Sequence, residues 1–358
     1  LPFLLVGVHM AFMPSGSPSV FYLGGWLAVL YVGATMKTIS HQAWAAELSP
    51  DYDERSRIAG FNSFAGFAGS LLILVPLAIL EYRGTPPAGH EALTFFGITV
   101  MVFAPLCVLA AVTLVGERPT APAPRLRLLE GLAAVLRNPH MRRLLLADAM
   151  ASMPGAVMAG LFIFYQAELI GTARFNSLAL IAFFVGHIVG VPAWVRLSYR
   201  LGKHRAFAVD SLCFCLTTAA FFFPGEGDVA LFIATMFATG FAHSGLQFLI
   251  RAMAADVVDY DNLETGGLRT GLYFALLSIT AKIGGALAIG VTYPLLDAVG
   301  FDARGGNGED TLLAFRMIYL TVPVLAMVLA YFAIRGFGLG QREQAELRAR
   351  IAARDAAL

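Results

Sequence analysis

Long apolar runs broken by short polar phrases dominate the chain, and no alternation of period two or heptad seam is needed to read them. Ten such segments can be marked, at about 1–14, 19–46, 58–80, 92–116, 142–167, 176–198, 205–223, 228–255, 269–297 and 312–336. Most approach or exceed the roughly 20 residues that a helix needs to cross a bilayer. The polar phrases between them include "SPDYDERSR", "ERPTAPAPRLRLLEG", "RLSYRLGKHR" and "DNLETGGLR". This spacing predicts an all-α polytopic membrane protein.

Composition strengthens that reading. Of 358 residues, 58% are hydrophobic and 14% charged. A soluble domain carries roughly a quarter charged residues, so this chain lacks the charge to wet a normal surface. A formal net charge of +1 leaves no basic excess for nucleic acid. Cys107, Cys213 and Cys215 all lie in apolar segments and read as small core residues, not as a metal or disulfide set. No paired nucleophile and base appears, so no catalytic residue is assigned, and no phosphate-cradling Gly-Lys-Ser/Thr loop is present.

Basic residues orient the bundle. Alternate loops together with the tail hold eighteen, among them Arg55, Arg57, Arg142, Arg143, Arg200, Lys203 and Arg205; the remaining loops hold Arg83, Arg174, Arg304 and Arg316. The positive-inside rule puts the richer set, and the C-terminus, in the cytoplasm.

Two phrases echo each other. Ala46-Glu47-Leu48 with Asp51-Tyr52-Asp53 matches Ala255-Asp256-Val257 with Asp259-Tyr260-Asp261. Each closes an apolar span with acid–aromatic–acid, and arginine and glycine follow. The phrases fall six spans apart in helix count, the relation expected of two parallel six-helix repeats. The division expected is residues 1–116 as the first half with four visible spans, 117–141 as a cytoplasmic linker, 142–336 as a six-helix half and 337–358 as a cytoplasmic tail. Leu1 opens inside an apolar run, so two spans are expected to be missing before it.

The second phrase and its surroundings, "AADVVDYDNLETGGLRTGLYFALLSITAKIGGALAIG", resemble the tenth-to-eleventh helix region of the glycoside–pentoside–hexuronide:cation symporters, the melibiose-permease-like branch of the major facilitator superfamily. "AELSPDYDERSRIAGFNSFAGFAGSLL" is similar to that family's fourth-to-fifth helix junction, and "RLSYRLGKHR" to the superfamily loop between helices 8 and 9. The resemblance implies a major facilitator fold with about ten of twelve transmembrane helices present. It implies cation-coupled symport of a sugar or other small polar solute by alternating access, with Na⁺ or H⁺ as coupling ion and no other cofactor. It further implies a monomer in the inner membrane. Two departures weigh on this. The family's helix-4 acid falls on Thr38, and a helix-5 arginine falls near Asn62 or Ser63. They keep open a uniporter, or a transporter of lipid or lysolipid type without Na⁺ coupling.

Charges inside spans mark candidate sites. Lys282 stands where the family has its helix-11 lysine, close to mid-membrane. Lys37, Thr38, His41 and Trp44 share a helical stripe of cation, hydroxyl, imidazole and indole. Asp148 joins them as a cavity candidate, with a local partner in Arg142 or Arg143 as the plainer reading. Glu47, Asp51, Arg55, Arg200, Arg205, Arg251, Asp256 and Asp259 are expected to form a cytoplasmic gate, with Arg251 paired to the acids that follow it on its own helix. His187 and His243 lie within apolar segments, where a proton relay is one reading beside that of core residues, and Gly186 and Gly190 fit close helix packing.

Overall fold

A computed structural model describes residues 1–49, 51–84, 89–116, 128–171, 175–265 and 269–356. The helices in chain order are α1 (Pro2–Phe12), α2 (Val20–Glu47), α3 (Tyr52–Tyr82), α4 (Gly89–Leu114), α5 (Leu128–Arg137) and α6 (Pro139–Tyr165). They continue with α7 (Asn176–Leu201), α8 (Lys203–Ala219), α9 (Val229–Thr265), α10 (Thr270–Ala298), α11 (Glu309–Ile334) and α12 (Gln341–Ala356). Among the described residues, nine helices are long and apolar enough to span a bilayer, and α1 is a shorter apolar helix. These ten match the ten expected segments. The expected linker holds a helix, α5, in its second part, while residues 117–127 lie outside the described residues.

Local chemistry sets the helix starts. Ser19 accepts from the Tyr22 amide at 3.2 Å, Asp51 from the Glu54 amide at 2.8 Å, and Asn138 from the amides of His140 and Met141 at 3.0 and 3.2 Å. Each satisfies donors that the first helical turn leaves free. Asp53 and Glu54 in the first turn of α3 favour the positive end of its dipole. Gly202 alone turns the chain from α7 into α8 at φ 82°, a left-handed value that a β-carbon disfavours.

The second phrase departs from expectation. α9 does not stop near residue 255; it runs unbroken to Thr265, so Asp256, Asp259 and Asp261 project from helix and not from a loop. In the first phrase the helix breaks after Glu47 and restarts at Tyr52. The two phrases therefore match in composition but differ in backbone.

Packing is densest from α6 to α11. There α7 lies along α9, α8 on α9, and α6 against both α10 and α11. α1 packs on α2 and α4. α3 bridges the two sets by running along α7 and α9, and α2 bridges them by touching α10. Glycines allow the closest crossing: a β-carbon at Gly186 or Gly190 of α7 would strike the backbone of Phe237 or Phe241 on α9, and one at Gly240 would strike the Phe183 carbonyl. Leucine, valine and phenylalanine remain exposed along α2, α3, α4, α10 and α11, as a hydrocarbon solvent requires.

Six long helices carry an interior proline: Pro76 in α3, Pro105 in α4, Pro154 in α6, Pro192 in α7, Pro294 in α10 and Pro323 in α11. Each removes one rung of the backbone ladder.

Candidate functional site

A cavity of about 740 Å³ lies between the α1–α4 and α6–α11 sets. α2 lines it with Lys37, Thr38, His41 and Gln42; α3 with Arg55, Asn62, Ser63 and Phe67; α9 with Gln247 and Arg251. The i, i+1, i+4 spacing of Lys37, Thr38 and His41 brings them to one wall. His41 Nδ1 lies 3.5 Å from Asn62 Nδ2, tying α2 to α3. No aspartate or glutamate belongs to the lining among the described residues. Lys37 is exposed and has no ion-pair partner there, so its charge is available to an entering group.

Trp44 shares the stripe in sequence but lies outside this lining, half-buried, with its indole nitrogen unpartnered among the described residues. Lys282 is also absent from the lining. Its Nζ donates to Thr35 Oγ1 at 2.5 Å and clips α10 to α2. Asp148 is buried, accepts from Thr280 Oγ1 at 2.7 Å and lies 3.5 Å from Arg251 Nη1. This corrects two pairings expected from sequence. Arg251 meets Asp148 of α6 and not the acids that follow it on α9, and Asp148 meets Arg251 and not Arg142 or Arg143. The helix geometry explains the first: five residues along a helix is about 140° round it, so Arg251 and Asp256 face different ways.

One end of the bundle closes with charge. Arg55 donates to Asp259 twice, to Asp256 Oδ1 at 3.3 Å, to the Ala255 carbonyl at 2.8 Å and to the Ser49 carbonyl at 3.0 Å. Lys203 Nζ reaches Asp256 Oδ2 at 2.6 Å and stands 3.7 Å over the Tyr52 ring, whose hydroxyl accepts from the Lys203 amide at 3.0 Å. From α12, Gln344 Nε2 and Arg348 Nη2 reach Asp259 Oδ2 at 2.8 and 2.7 Å. Arg55, Lys203 and Asp256 are all buried, which makes each pair depend on its partner.

Of the expected gate residues, Arg55, Asp256 and Asp259 come together here. Glu47, Arg200 and Arg205 are exposed, with no ion pair among the described residues. Asp51 serves as the α3 cap. The tail contribution escaped the sequence reading because Gln344 and Arg348 sit in a short, polar helix with no apolar run to flag it. Tyr52 was visible only as the aromatic between two acids.

A family model described as MFS/sugar transport protein matches residues 1–340. YagG of Escherichia coli (strain K12), whose name carries a provisional assignment as a glycoside/cation symporter, is 23% identical over 333 residues, covering 91% of this chain and 72% of its own. The glucuronide carrier protein homolog of the same organism is 24% identical over 192 residues, covering 54% of this chain and 42% of its own. Among solved structures, the E. coli fucose:proton symporter FucP superposes with a TM-score of 0.67 at 16% identity, over 94% of this chain and 82% of that one. A bacterial homologue of the iron transporter ferroportin, in an outward-facing state, gives 0.61 at 14% identity, over 94% and 82%. These two show the fold alone, and it is the major facilitator fold. A match spanning nearly the whole chain, on a bundle of spanning helices around a cavity that Lys37, His41, Asn62 and Arg251 help to line, makes this a multi-pass membrane transporter of the MFS/sugar transport protein family.

Proposed function

We propose that the chain is a cation-coupled secondary transporter that carries a sugar-sized solute bearing an acidic group through the Lys37 cavity by alternating access. The carrying observation is the cavity lining: Lys37, His41, Arg55 and Arg251 contribute basic groups and no acid opposes them among the described lining residues. Asp148 already faces Arg251, and Asp256 and Asp259 face Arg55, so Lys37 is the cation left for a solute. The volume suits a small polar molecule. The names of the glucuronide carrier homolog and of a 2,3-dihydroxypropane-1-sulfonate exporter relative, 24% identical over 314 residues, point to acidic solutes.

In this reading α1–α4 belong to one half and α6–α11 to the other, and the Arg55–Asp256–Asp259–Lys203 cluster is the cytoplasmic gate of a monomer in the cell's inner membrane. Lys282 holds α10 against α2 beside the cavity, while Lys37, Thr38 and His41 meet the solute and Asp148 fixes Arg251. The same lack of acids supports a second reading, a uniporter or a lipid-type transporter without Na⁺ coupling.

Uptake into proteoliposomes tests both, with radiolabelled methyl glucuronide against methyl glucoside under an inward H⁺ or Na⁺ gradient. Gradient-driven uptake of the glucuronide in preference to the glucoside is expected. Equal uptake without any gradient favours the uniporter, and uptake of neither, with lysolipid flipped instead, overturns the proposal.

A further inference from the structure

His187 and His243 meet inside the close crossing of α7 and α9. His187 Nδ1 lies 3.0 Å from the Phe183 carbonyl, and its Nε2 lies 3.0 Å from His243 Nδ1. A carbonyl oxygen can only accept, so His187 carries its hydrogen on Nδ1 and presents a bare Nε2. His243 must then carry its own hydrogen on Nδ1 and donate it. One basic atom remains at the end of this chain, His243 Nε2. It is buried and has no hydrogen-bond partner among the described residues. His187 is 0% exposed and His243 7%.

The pair lies within the α6–α11 set and abuts its seam with α3. Phe67 of α3, which lines the cavity, has its ring centroid 4.0 Å from that of His187. Phe183 lies 4.4 Å from His187, and Phe214 of α8 lies 5.6 Å from His243. A chain of two imidazoles thus runs from the α6–α9 interior to a ring on the cavity wall. Aromatic faces around it accept a cation more readily than aliphatic groups do.

The other titratable groups near the pair are few. On α6 and α9, Asp148 and Arg251 lie about two turns nearer the charged end and face each other. On α8, Asp210 is buried with both carboxyl oxygens unpartnered among the described residues, and Cys213 and Cys215 flank Phe214. α3 has no charged residue between Arg57 and Glu81, and α7 none between Asn176 and Arg196 other than His187.

We propose that the His187–His243 pair is a proton-binding site, that His243 Nε2 takes up the proton, and that this proton is the coupling cation of the transporter reading on which the inference rests. The proton arrives from water and makes an imidazolium on His243, which keeps its Nδ1–H bond to His187. That charge sits on α9, one imidazole behind the α3–α7 seam, where an unsolvated ion is costly. Parting α3 from α7 admits water to His187 and, through its bond to His243, lowers that cost. Proton binding and opening of the seam therefore favour one another, as linkage requires.

Selective ¹⁵N-histidine labelling of the full chain in lipid nanodiscs follows all seven imidazoles. Titration from about pH 8 to about pH 4 starts above the ordinary histidine pKa of about 6.5 and ends well below it. Two spin systems, identified by their loss in His187→Phe and in His243→Asn, are expected to be Nδ1-protonated at high pH and to shift together in one step. Asparagine keeps a donor where His243 Nδ1 stands but cannot titrate, so it guards against simple misfolding. In a Cys213→Ser, Cys215→Ser background, maleimide labelling of Cys107, which lines the cavity, is expected to change roughly five- to tenfold on acidification. That response should vanish in His243→Asn and survive in Asp210→Asn. A pair that stays neutral throughout, or a pH response that persists in His243→Asn or disappears with Asp210→Asn, overturns the proposal. Gradient-driven uptake with a neutral pair would remove the proton site while leaving the transporter reading intact.

Discussion

Arg55 and Asp259 join α3 to α9 through two parallel hydrogen bonds, Nη1 to Oδ2 at 2.8 Å and Nη2 to Oδ1 at 3.1 Å, across 204 residues of sequence. A guanidinium fork fits a carboxylate in this way and an ammonium does not. Arg55→Lys is expected to keep the charge and lose the fork, weakening closure of the charged end by about 1–3 kcal/mol. Reactivity of a cysteine placed at Ser49 reports the closure; labelling no faster than in the parent would refute the gate.

Asp256 is shared by Arg55 and by Lys203, and neither it nor the lysine sees solvent. Asp256→Asn should lower stability by about 3–5 kcal/mol, because a buried ammonium is left without its counter-charge. The double change Asp256→Leu, Lys203→Met should recover much of that loss, since the buried ammonium is gone and Arg55 keeps Asp259 as its partner. Thermal unfolding in detergent compares the two, and a double variant less stable than the single one would contradict this account.

Neighbouring glycines on α10 should respond in opposite ways. A β-carbon at Gly284 would strike the Ala149 carbonyl of α6 and come within 3.1 Å of Ser152 Cβ, whereas one at Gly285 meets only Ala156 Cβ at 3.9 Å. Gly284→Ala is expected to destabilise by about 1–3 kcal/mol through overpacking. Gly285→Ala is expected to be neutral or to stabilise by about 0.4–1 kcal/mol. Melting temperatures moving in the same direction for both would show that α6 and α10 do not meet as described.

Lys37 is exposed to the cavity and bears no ion pair, so Lys37→Ala should leave stability within about 0.5 kcal/mol. Removing its contact to an acidic solute should still reduce affinity roughly tenfold or more, the worth of a charged hydrogen bond. Uptake at several solute concentrations separates a raised KM from a lost fold. An unchanged KM would place the solute elsewhere.

The spanning helices were legible in the sequence because hydrocarbon imposes a nearly binary rule on every exposed position, and no partner need be known to apply it. The stripe from Lys37 to His41 was legible for a similar reason, since helix periodicity alone puts those residues on one face. Trp44 obeyed the same periodicity yet falls beyond the cavity's extent, which periodicity does not encode. Pairings between distant helices were not legible. Arg251 had acids five and eight residues ahead, and only the crossing of α6 and α9 reveals that Asp148 is its neighbour. The same holds for His187 and His243, whose sequence positions in two apolar segments do not show that they touch; Gly186, Gly190 and Gly240 bring α7 and α9 together. Lys203 was visible as one of several basic residues in its loop. Its burial, which sets it apart from exposed Arg200 and Arg205, depends on Tyr52 arriving from α3.

The interior prolines of α3, α4, α6, α7, α10 and α11 give those members articulation. A rod with a missing rung bends at low cost, so any bending of the bundle is shared among many shallow joints instead of one steep hinge. Pro76 and Pro192 lie on the two helices that run along each other at the seam, so both of its faces carry such a joint. An all-alanine version of these positions would be a stiffer scaffold.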